Sequence, residues 1–225
     1  MKLKLQITSL SLMVALHAGV AYAAKSPTTS SAPSFGFAQE MAGVTPNGEV
    51  RADIYNTTGY PAHLRIGAFG GEVMIDPNGT ATTATGIGYK YPFNPNLALY
   101  GKLFLNTATG GQTNITLGAS YTMQSGNFFL NGNGHFTNAN ALNESEFYLQ
   151  GAGFYRMKTN KMGGNTYLGG EVSFKLSPSP TETDLFLGAR WQPNKAVLID
   201  LGLVASSAGT TTISTPAFIR LNLGF

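Results

Sequence analysis

The chain has 225 residues, of which 43% are hydrophobic and only 11% are charged, whereas about 25% of the residues of a soluble domain carry a charge. Its mean hydropathy is nevertheless close to zero, which excludes a protein built from long apolar helices. The formal net charge of +3 and the lack of any basic stripe exclude nucleic acid as the expected partner, and zero cysteines exclude disulfides and thiol chemistry.

The first 23 residues have the composition of an export signal. Lys2 and Lys4 precede an apolar run around 10–16, and Ala21-Tyr-Ala23 supplies a small-x-small cleavage pattern. A spanning helix needs about 20 apolar residues, so this run is too short to be a membrane anchor. We therefore expect residues 1–23 to be a signal peptide. Its removal would leave 12 of the 14 basic residues against 11 acidic ones.

A polar, proline-bearing stretch at 24–33 predicts a flexible lead-in. From residue 34 to residue 225, strand-like runs alternate with clusters of Gly, Pro, Asn, Ser and Thr. Runs of roughly ten residues suit tilted strands that cross a membrane better than the shorter strands of soluble sheets. Twelve strands are predicted, at 34–42, 48–56, 62–75, 82–91, 97–106, 113–123, 127–136, 145–157, 165–176, 182–191, 196–206 and 215–225.

The connections between these strands alternate in length. Tight turns are predicted at 92–96, 124–126 and 192–195, where proline fixes φ and Gly or Asn tolerates positive φ. The other connections are richer in Ser, Thr and Asn. In outer-membrane barrels the short turns face the periplasm and the longer loops face outward, and an even number of strands returns both ends of the barrel to one side.

Alternation along the strands sends the charged residues to one face. In the fifth predicted strand, for example, Leu99 and Leu103 share one face whereas Lys102 lies on the other. The 62–75 run follows this alternation along its whole length only if Gly70-Gly71 forms a β-bulge. A Lys or Arg facing lipid at mid-depth costs about 2–4 kcal/mol, so the pattern predicts a lipid-facing exterior and a polar interior. A soluble β-sandwich, the alternative, would place its charges outside.

Most of the predicted strands that run toward the tight turns end in an aromatic residue beside the turn. Interfacial aromatic residues form girdles around membrane barrels. The predicted periplasmic girdle consists of Tyr89, Tyr121, Tyr155, Trp191 and Phe225.

The last stretch, Thr215-Pro-Ala-Phe-Ile-Arg-Leu-Asn-Leu-Gly-Phe225, has an apolar row, a polar row and a terminal Phe. It resembles the closing strand of bacterial outer-membrane β-barrels. The resemblance implies a Gram-negative outer membrane and recognition by the barrel-insertion machinery through the strand that ends at Phe225. The phrase Trp191-Gln-Pro-Asn-Lys-Ala-Val-Leu-Ile-Asp200-Leu-Gly-Leu resembles outer-membrane transporters linked to the degradation of aromatic compounds, which implies uptake of small solutes.

Taken together, the residues predict an all-β, closed antiparallel transmembrane β-barrel of about 12 strands, with 10 as the alternative, spanning 34–225 in the cell outer membrane. A ring of this size leaves a narrow bore. The predicted function is a porin-like channel for the passive passage of small solutes through this lipid bilayer. The candidate channel-lining residues are Arg51, Lys102, Tyr148, Arg156, Glu171, Lys175, Arg190 and Asp200.

Two other functions are consistent with the same pattern. A closed structural or surface-interaction barrel would have its interior charges paired into a plug. An outer-membrane hydrolase would need a serine such as Ser120 or Ser173 within reach of His135. The two histidines left after signal removal and the scattered carboxylates have no metal-ligand spacing, so no metal or cofactor is predicted.

Overall fold

The computed structural model describes residues 40–45, 49–55, 63–76, 84–106, 112–139, 144–157, 164–177, 182–194, 196–206, 212–214 and 217–224. The predicted signal peptide, the predicted lead-in and Phe225 lie outside these ranges. No helix in the described ranges is both long enough and apolar enough to cross a membrane.

The described chain is all-β, with strands joined in sequence order. The strands are β1 Glu49–Tyr55, β2 His63–Ala68, β3 Gly71–Asp76, β4 Ala84–Asn94, β5 Leu97–Asn106, β6 Gln112–Ser125, β7 Phe128–Ala139, β8 Glu144–Met157, β9 Asn165–Ser177, β10 Glu182–Asn194, β11 Val197–Ser206 and β12, which has two segments, Thr212–Ser214 and Ala217–Gly224.

Each strand pairs antiparallel with its neighbours in the chain, and the ring closes between the first and last strands. Glu49 pairs with Gly224 and Asp53 with Arg220, so β1 and β12 are hydrogen-bonded along their length. The two segments of β12 hold one register on β11, with Val204 opposite Ser214 and Leu201 opposite Ala217. The predicted closed twelve-strand barrel is therefore confirmed.

The predicted count is right, although the strand predicted at 62–75 is wrong and the end of the strand predicted at 34–42 is not a strand. The 62–75 run is not one bulged strand, because Phe69 and Gly70 have φ of 53° and 78° and form a two-residue turn between β2 and β3. Positive φ at both central positions is the geometry of the hairpin turns that match strand twist. Residues 40–42, predicted as the end of a strand at 34–42, belong to no strand. Residues 34–39 lie outside the described ranges.

The tight turns share one end of the barrel, called the turn end here; the opposite end is the loop end. Besides the turn at Phe69, the turn end carries turns at 95–96 and 126–127. The Asn94 side-chain oxygen accepts hydrogen bonds from the backbone N–H groups of Asn96 and Leu97, both at 2.8 Å. This Asx turn satisfies backbone groups that leave the ladder, so the Pro-Asn chemistry read from the sequence explains the reversal.

The barrel wall separates apolar from charged residues as the alternation predicts. In β10, Leu187 is 57% exposed on the outside whereas Arg190 is 0% exposed on the inside. Large apolar side chains cover the exterior of the other described strands as well, among them Ile87, Leu103, Leu117, Leu149, Leu168, Leu201 and Leu223.

Aromatic side chains occupy the space beside the inward glycines. A Cβ atom at Gly118 would collide with the ring of Tyr100 on the neighbouring strand, and one at Gly86 would collide with Phe104. Phe186 stands in the same relation to Gly202. These close approaches require glycine, and they let the rings lie along the wall rather than across the bore.

A charge on the exterior tests the position of the hydrocarbon. We expect Leu187→Arg, in the middle of β10, to lower the free energy of unfolding by about 2–4 kcal/mol, because an Arg at mid-depth must leave water. Leu130→Arg, near the turn end of β7, is the matched control and should cost about 0–1 kcal/mol. Urea unfolding of both variants in lipid vesicles measures the difference. Equal costs at the two depths would contradict a lipid-facing exterior.

Candidate functional site in the barrel lumen

Residues 40–45, called the lumen segment here, lie inside the barrel near its turn end. Of these six residues, Glu40, Met41, Ala42 and Thr45 are each at most 6% exposed. Side chains of the wall satisfy its backbone: Ser120 donates to the Glu40 carbonyl at 2.7 Å, and the Ala42 N–H donates to Thr122 Oγ1 at 3.0 Å. Each of these bonds fixes a buried polar group that would otherwise be costly, so the segment is specifically docked.

Three cations of the wall surround the Glu40 carboxylate. Arg65 donates to both of its oxygens, at 2.7 Å and 2.9 Å. The Nζ of Lys102 lies 2.7 Å from one oxygen and the Nζ of Lys90 lies 3.6 Å from the other. Burial alone would raise the pKa of Glu40, but these cations outweigh it and hold the pKa well below its usual range. The carboxylate is therefore ionised at neutral pH.

A second carboxylate, Glu72 of β3, contacts two of these cations and adds a fourth, Arg51. Its Oε1 lies 3.1 Å from Arg51, 3.0 Å from Arg65 and 3.1 Å from Lys90. The backbone N–H and the hydroxyl of Thr45 both donate to its other oxygen. The lumen segment is thus held at both ends, by Glu40 and by Thr45.

The structure brings the predicted candidates Arg51 and Lys102 into this one cluster. The candidates predicted from the sequence did not include Arg65, Glu40, Glu72 or Lys90. The alternation along β4 could have predicted that Lys90 faces the lumen, because its neighbours Tyr89 and Tyr91 lie on the outer face. Glu40 was assigned to a predicted strand at 34–42, and nothing in the sequence indicated that residues 40–45 lie inside the lumen instead.

The predicted candidates Arg190 and Asp200 form an ion pair on the opposite side of the lumen. The Nε of Arg190 donates to Asp200 Oδ1 at 2.7 Å, a second bond joins Nη2 to Oδ2, and both side chains are 0% exposed. The guanidinium lies 4.6 Å from the ring centroid of Phe154. Aromatic contacts extend this region, with Phe129 packed edge-on against Tyr167 at 5.2 Å.

Lys175 and Tyr148 meet nearer the loop end, where side chains are more accessible. The Nζ of Lys175 lies 3.0 Å from Glu146 and 3.7 Å from Glu182, and these three side chains are 16%, 20% and 34% exposed. The Tyr148 hydroxyl donates to Glu146 at 3.2 Å, and its ring stacks on His135 with centroids 4.8 Å apart. This group is called the loop-end cluster below.

The last two candidates lie on the neighbouring strands β8 and β9. Arg156 bonds to Asn127 Oδ1 at 3.0 Å beside a tight turn. Glu171 is buried on β9, opposite Ala152 and Phe186 in register. The eight candidates therefore do not form one ring, and their role in lining a solute path stays a prediction.

The described members of the predicted girdle lie near the turn end, at strand positions that belong to the outer face. Tyr121 and Tyr155 are exposed, and Tyr155 packs edge-on against Phe128 at 4.9 Å. The Tyr89 hydroxyl donates to the carbonyl of Phe69 at 2.6 Å, which fastens the β2–β3 turn. Trp191 is half-buried, and Phe225 lies outside the described residues.

The serines considered for hydrolysis are engaged with other groups than histidine. The Ser120 hydroxyl donates to Glu40, and Ser173 accepts a bond from Gln150 at 3.1 Å. His135 lies against Tyr148. This arrangement gives no support to a Ser-His pair among the described residues.

A ring without free edges, an apolar exterior and a charged interior define the chain as an outer-membrane β-barrel. No family model matches the chain, and no curated protein is significantly similar to it.

Solved structures resemble the fold at low sequence identity. A structure from work on in-meso crystallization of membrane proteins aligns at a TM-score of 0.49 and 12% identity, over 79% of this chain and 83% of that one. The KdgM porin in complex with oligogalacturonate aligns at 0.45 and 12%, over 79% and 98%. A mutant Rhodopseudomonas blastica porin aligns at 0.42 and 16%, over 72% of this chain but only 54% of that one. All three TM-scores lie below 0.5, so the assignment rests on the barrel itself. The likeness to transporters linked to aromatic-compound degradation is not confirmed.

Proposed function

We propose that this barrel is an outer-membrane channel for the passive passage of small solutes. The observation that supports it most directly is the change in exposure along the lumen. Charged side chains of the loop-end cluster are partly exposed, whereas Arg190, Asp200 and Glu72 at the turn end are at 0%. Water therefore enters from the loop end and reaches a constriction at the turn end, as in a vestibule leading to a narrow filter.

The constriction has two unlike sides. On one side the cluster around Arg65 and Lys102 is charged, and on the other side the Arg190–Asp200 pair lies among aromatic rings. The lumen segment lies between the two sides, because its Met41 belongs to the same buried apolar cluster as these rings. When the lumen segment moves aside, the path between a charged wall and an apolar wall would favour small amphipathic solutes over bulky polar ones. The sequence resemblance to transporters of aromatic degradation agrees with small solutes of this kind.

A closed barrel without transport is the second candidate, and a specific observation favours it. Glu40, Arg65 and Glu72 are buried and mutually bonded across the lumen, and networks of this kind also stabilise filled barrels. In this case the lumen segment would be a permanent plug.

Planar-bilayer recording on refolded protein decides between these candidates. A channel should give discrete current steps, and replacing Lys102 and Arg51 at the constriction by Ala should alter ion selectivity, because both cations face the path. Replacing Arg156 by Ala is the matched control, since its guanidinium contacts a turn-end asparagine outside the constriction. Absence of current in every variant would support the closed barrel.

Export and insertion are further parts of this proposal. The signal peptide at 1–23 and the lead-in at 24–33 would deliver the mature chain to the periplasm. The strand that ends at Phe225 would then be recognised by the insertion machinery, with outer-membrane lipid as the final surrounding of the exterior.

A further inference from the structure

The pocket that holds Glu40 has the form of a binding site for a carboxylate. The fork of Arg65 contacts both oxygens, Lys102 supports one of them and Lys90 lies near the other. A planar guanidinium that donates two parallel bonds matches a planar carboxylate better than a spherical anion. The ligand in this site is supplied by the chain itself, from a segment that belongs to no strand.

Without Glu40, the cations of this site would still have carboxylate partners on the strands. Arg65 and Lys90 remain bonded to Glu72, and Lys102 remains 3.5 Å from Asp76. These contacts come from the strands, which the barrel ladder fixes in place. Departure of the lumen segment would therefore leave the cations ordered and facing the lumen.

The charge balance of the wall then favours an anion. Two groups of ion pairs on the strands face this site: Arg51, Arg65, Lys90 and Arg220 with Asp53 and Glu72, and Lys102 with Asp76, which also contacts His63. Five positive charges face three negative ones. Because these groups are buried, the imbalance is only weakly screened, and an incoming carboxylate would reduce it as Glu40 does.

We propose that Arg65, Lys90 and Lys102 form a binding site for small carboxylate solutes and that Glu40 occupies this site as an internal competitor. A solute carboxylate takes the place of Glu40 on the three cations, and the lumen segment is displaced. The consequence for transport rests on the proposed function, but the binding itself does not, because the site is present whether or not the barrel conducts.

Titration calorimetry on detergent-solubilised protein, with succinate as the probe, tests the site without requiring conduction. Glu40→Ala should bind succinate at least about tenfold more tightly than the unmodified chain, because apparent affinity rises when the competent state becomes populated. Adding Lys102→Met should abolish the gain. Adding Lys175→Met instead is the matched control, since that lysine belongs to the loop-end cluster, and the gain should persist.

Other results would overturn the proposal. Equal affinity in Glu40→Ala and the unmodified chain would show that Glu40 competes with nothing, and equal loss in the two lysine variants would show an unspecific charge effect. Stronger binding of inorganic phosphate than of succinate by Glu40→Ala would reject a carboxylate site. If Glu40→Ala does not fold, Glu40→Gln removes the charge and keeps the shape, with the same expectations. If Glu40→Ala binds succinate more tightly but no variant gives bilayer current, the carboxylate site is supported and only the proposed channel function is rejected.

Discussion

A disulfide between the lumen segment and the wall will hold the channel at low conductance until it is reduced. The Ala42 N–H lies 3.0 Å from Thr122 Oγ1, which brings the two backbones into the range that a disulfide spans. Ala42→Cys/Thr122→Cys contains the only cysteines, since the chain has none of its own. We expect dithiothreitol to raise single-channel conductance several-fold, because the reduced segment can leave the lumen.

The two single-cysteine variants are the controls for this experiment. They alter the same positions but form no intramolecular bridge, so their conductance should not respond to the reductant. Identical currents before and after reduction of the double variant would mean that the segment does not limit passage. Absence of current even after reduction would favour the closed barrel.

Removal of one partner of the Arg190–Asp200 pair should destabilise the barrel more than removal of both. Arg190→Met leaves Asp200 buried without its bidentate partner, at an expected cost of about 3–5 kcal/mol. Arg190→Met/Asp200→Leu restores a neutral interior beside Phe154, so its stability should lie within about 1 kcal/mol of the unmodified chain or above it. Urea unfolding in lipid vesicles measures the free energy of each variant.

Arg156→Met is the matched substitution outside the buried region. Its guanidinium bonds an exposed asparagine at the turn end, so the expected loss is below about 1 kcal/mol. If Arg190→Met costs no more than Arg156→Met, water reaches Asp200, and the Arg190–Asp200 pair is not buried as the structure has it.

The alternation of apolar and polar residues was enough to predict which side chains of the barrel wall face outward and which face inward, because alternation is a local property of each strand. A strand turns successive side chains to opposite faces, so the outward Leu187 and the inward Arg190 follow from their spacing in one strand. The sequence could not show which inward residues meet. Arg65 contacts Glu40 and Glu72 through the register of several strands and through a segment outside the sheet, and parity carries no information on either.

The turn at Phe69 shows a different limit. A Gly pair between two strand-like runs is compatible with a β-bulge or with a two-residue hairpin, and Phe at positive φ is an uncommon choice for the hairpin. The positive φ of Phe69 and Gly70 and the pairing of Gly67 with Glu72 across the turn distinguish them. A further limit concerns the end of the strand predicted at 34–42, because residues 40–42 carry no local sequence feature that distinguishes a strand from a segment inside the lumen.

Because of the glycines that face Tyr100, Phe104 and Phe186, the free cross-section of the lumen does not depend on the number of strands alone. Twelve strands set the circumference, but where a ring lies flat against a neighbouring glycine it takes up little of the cross-section. Exchanging such a glycine for a larger residue would tip the ring toward the axis and narrow the passage without altering the ladder. In the proposed channel, size exclusion would thus be adjustable one residue at a time.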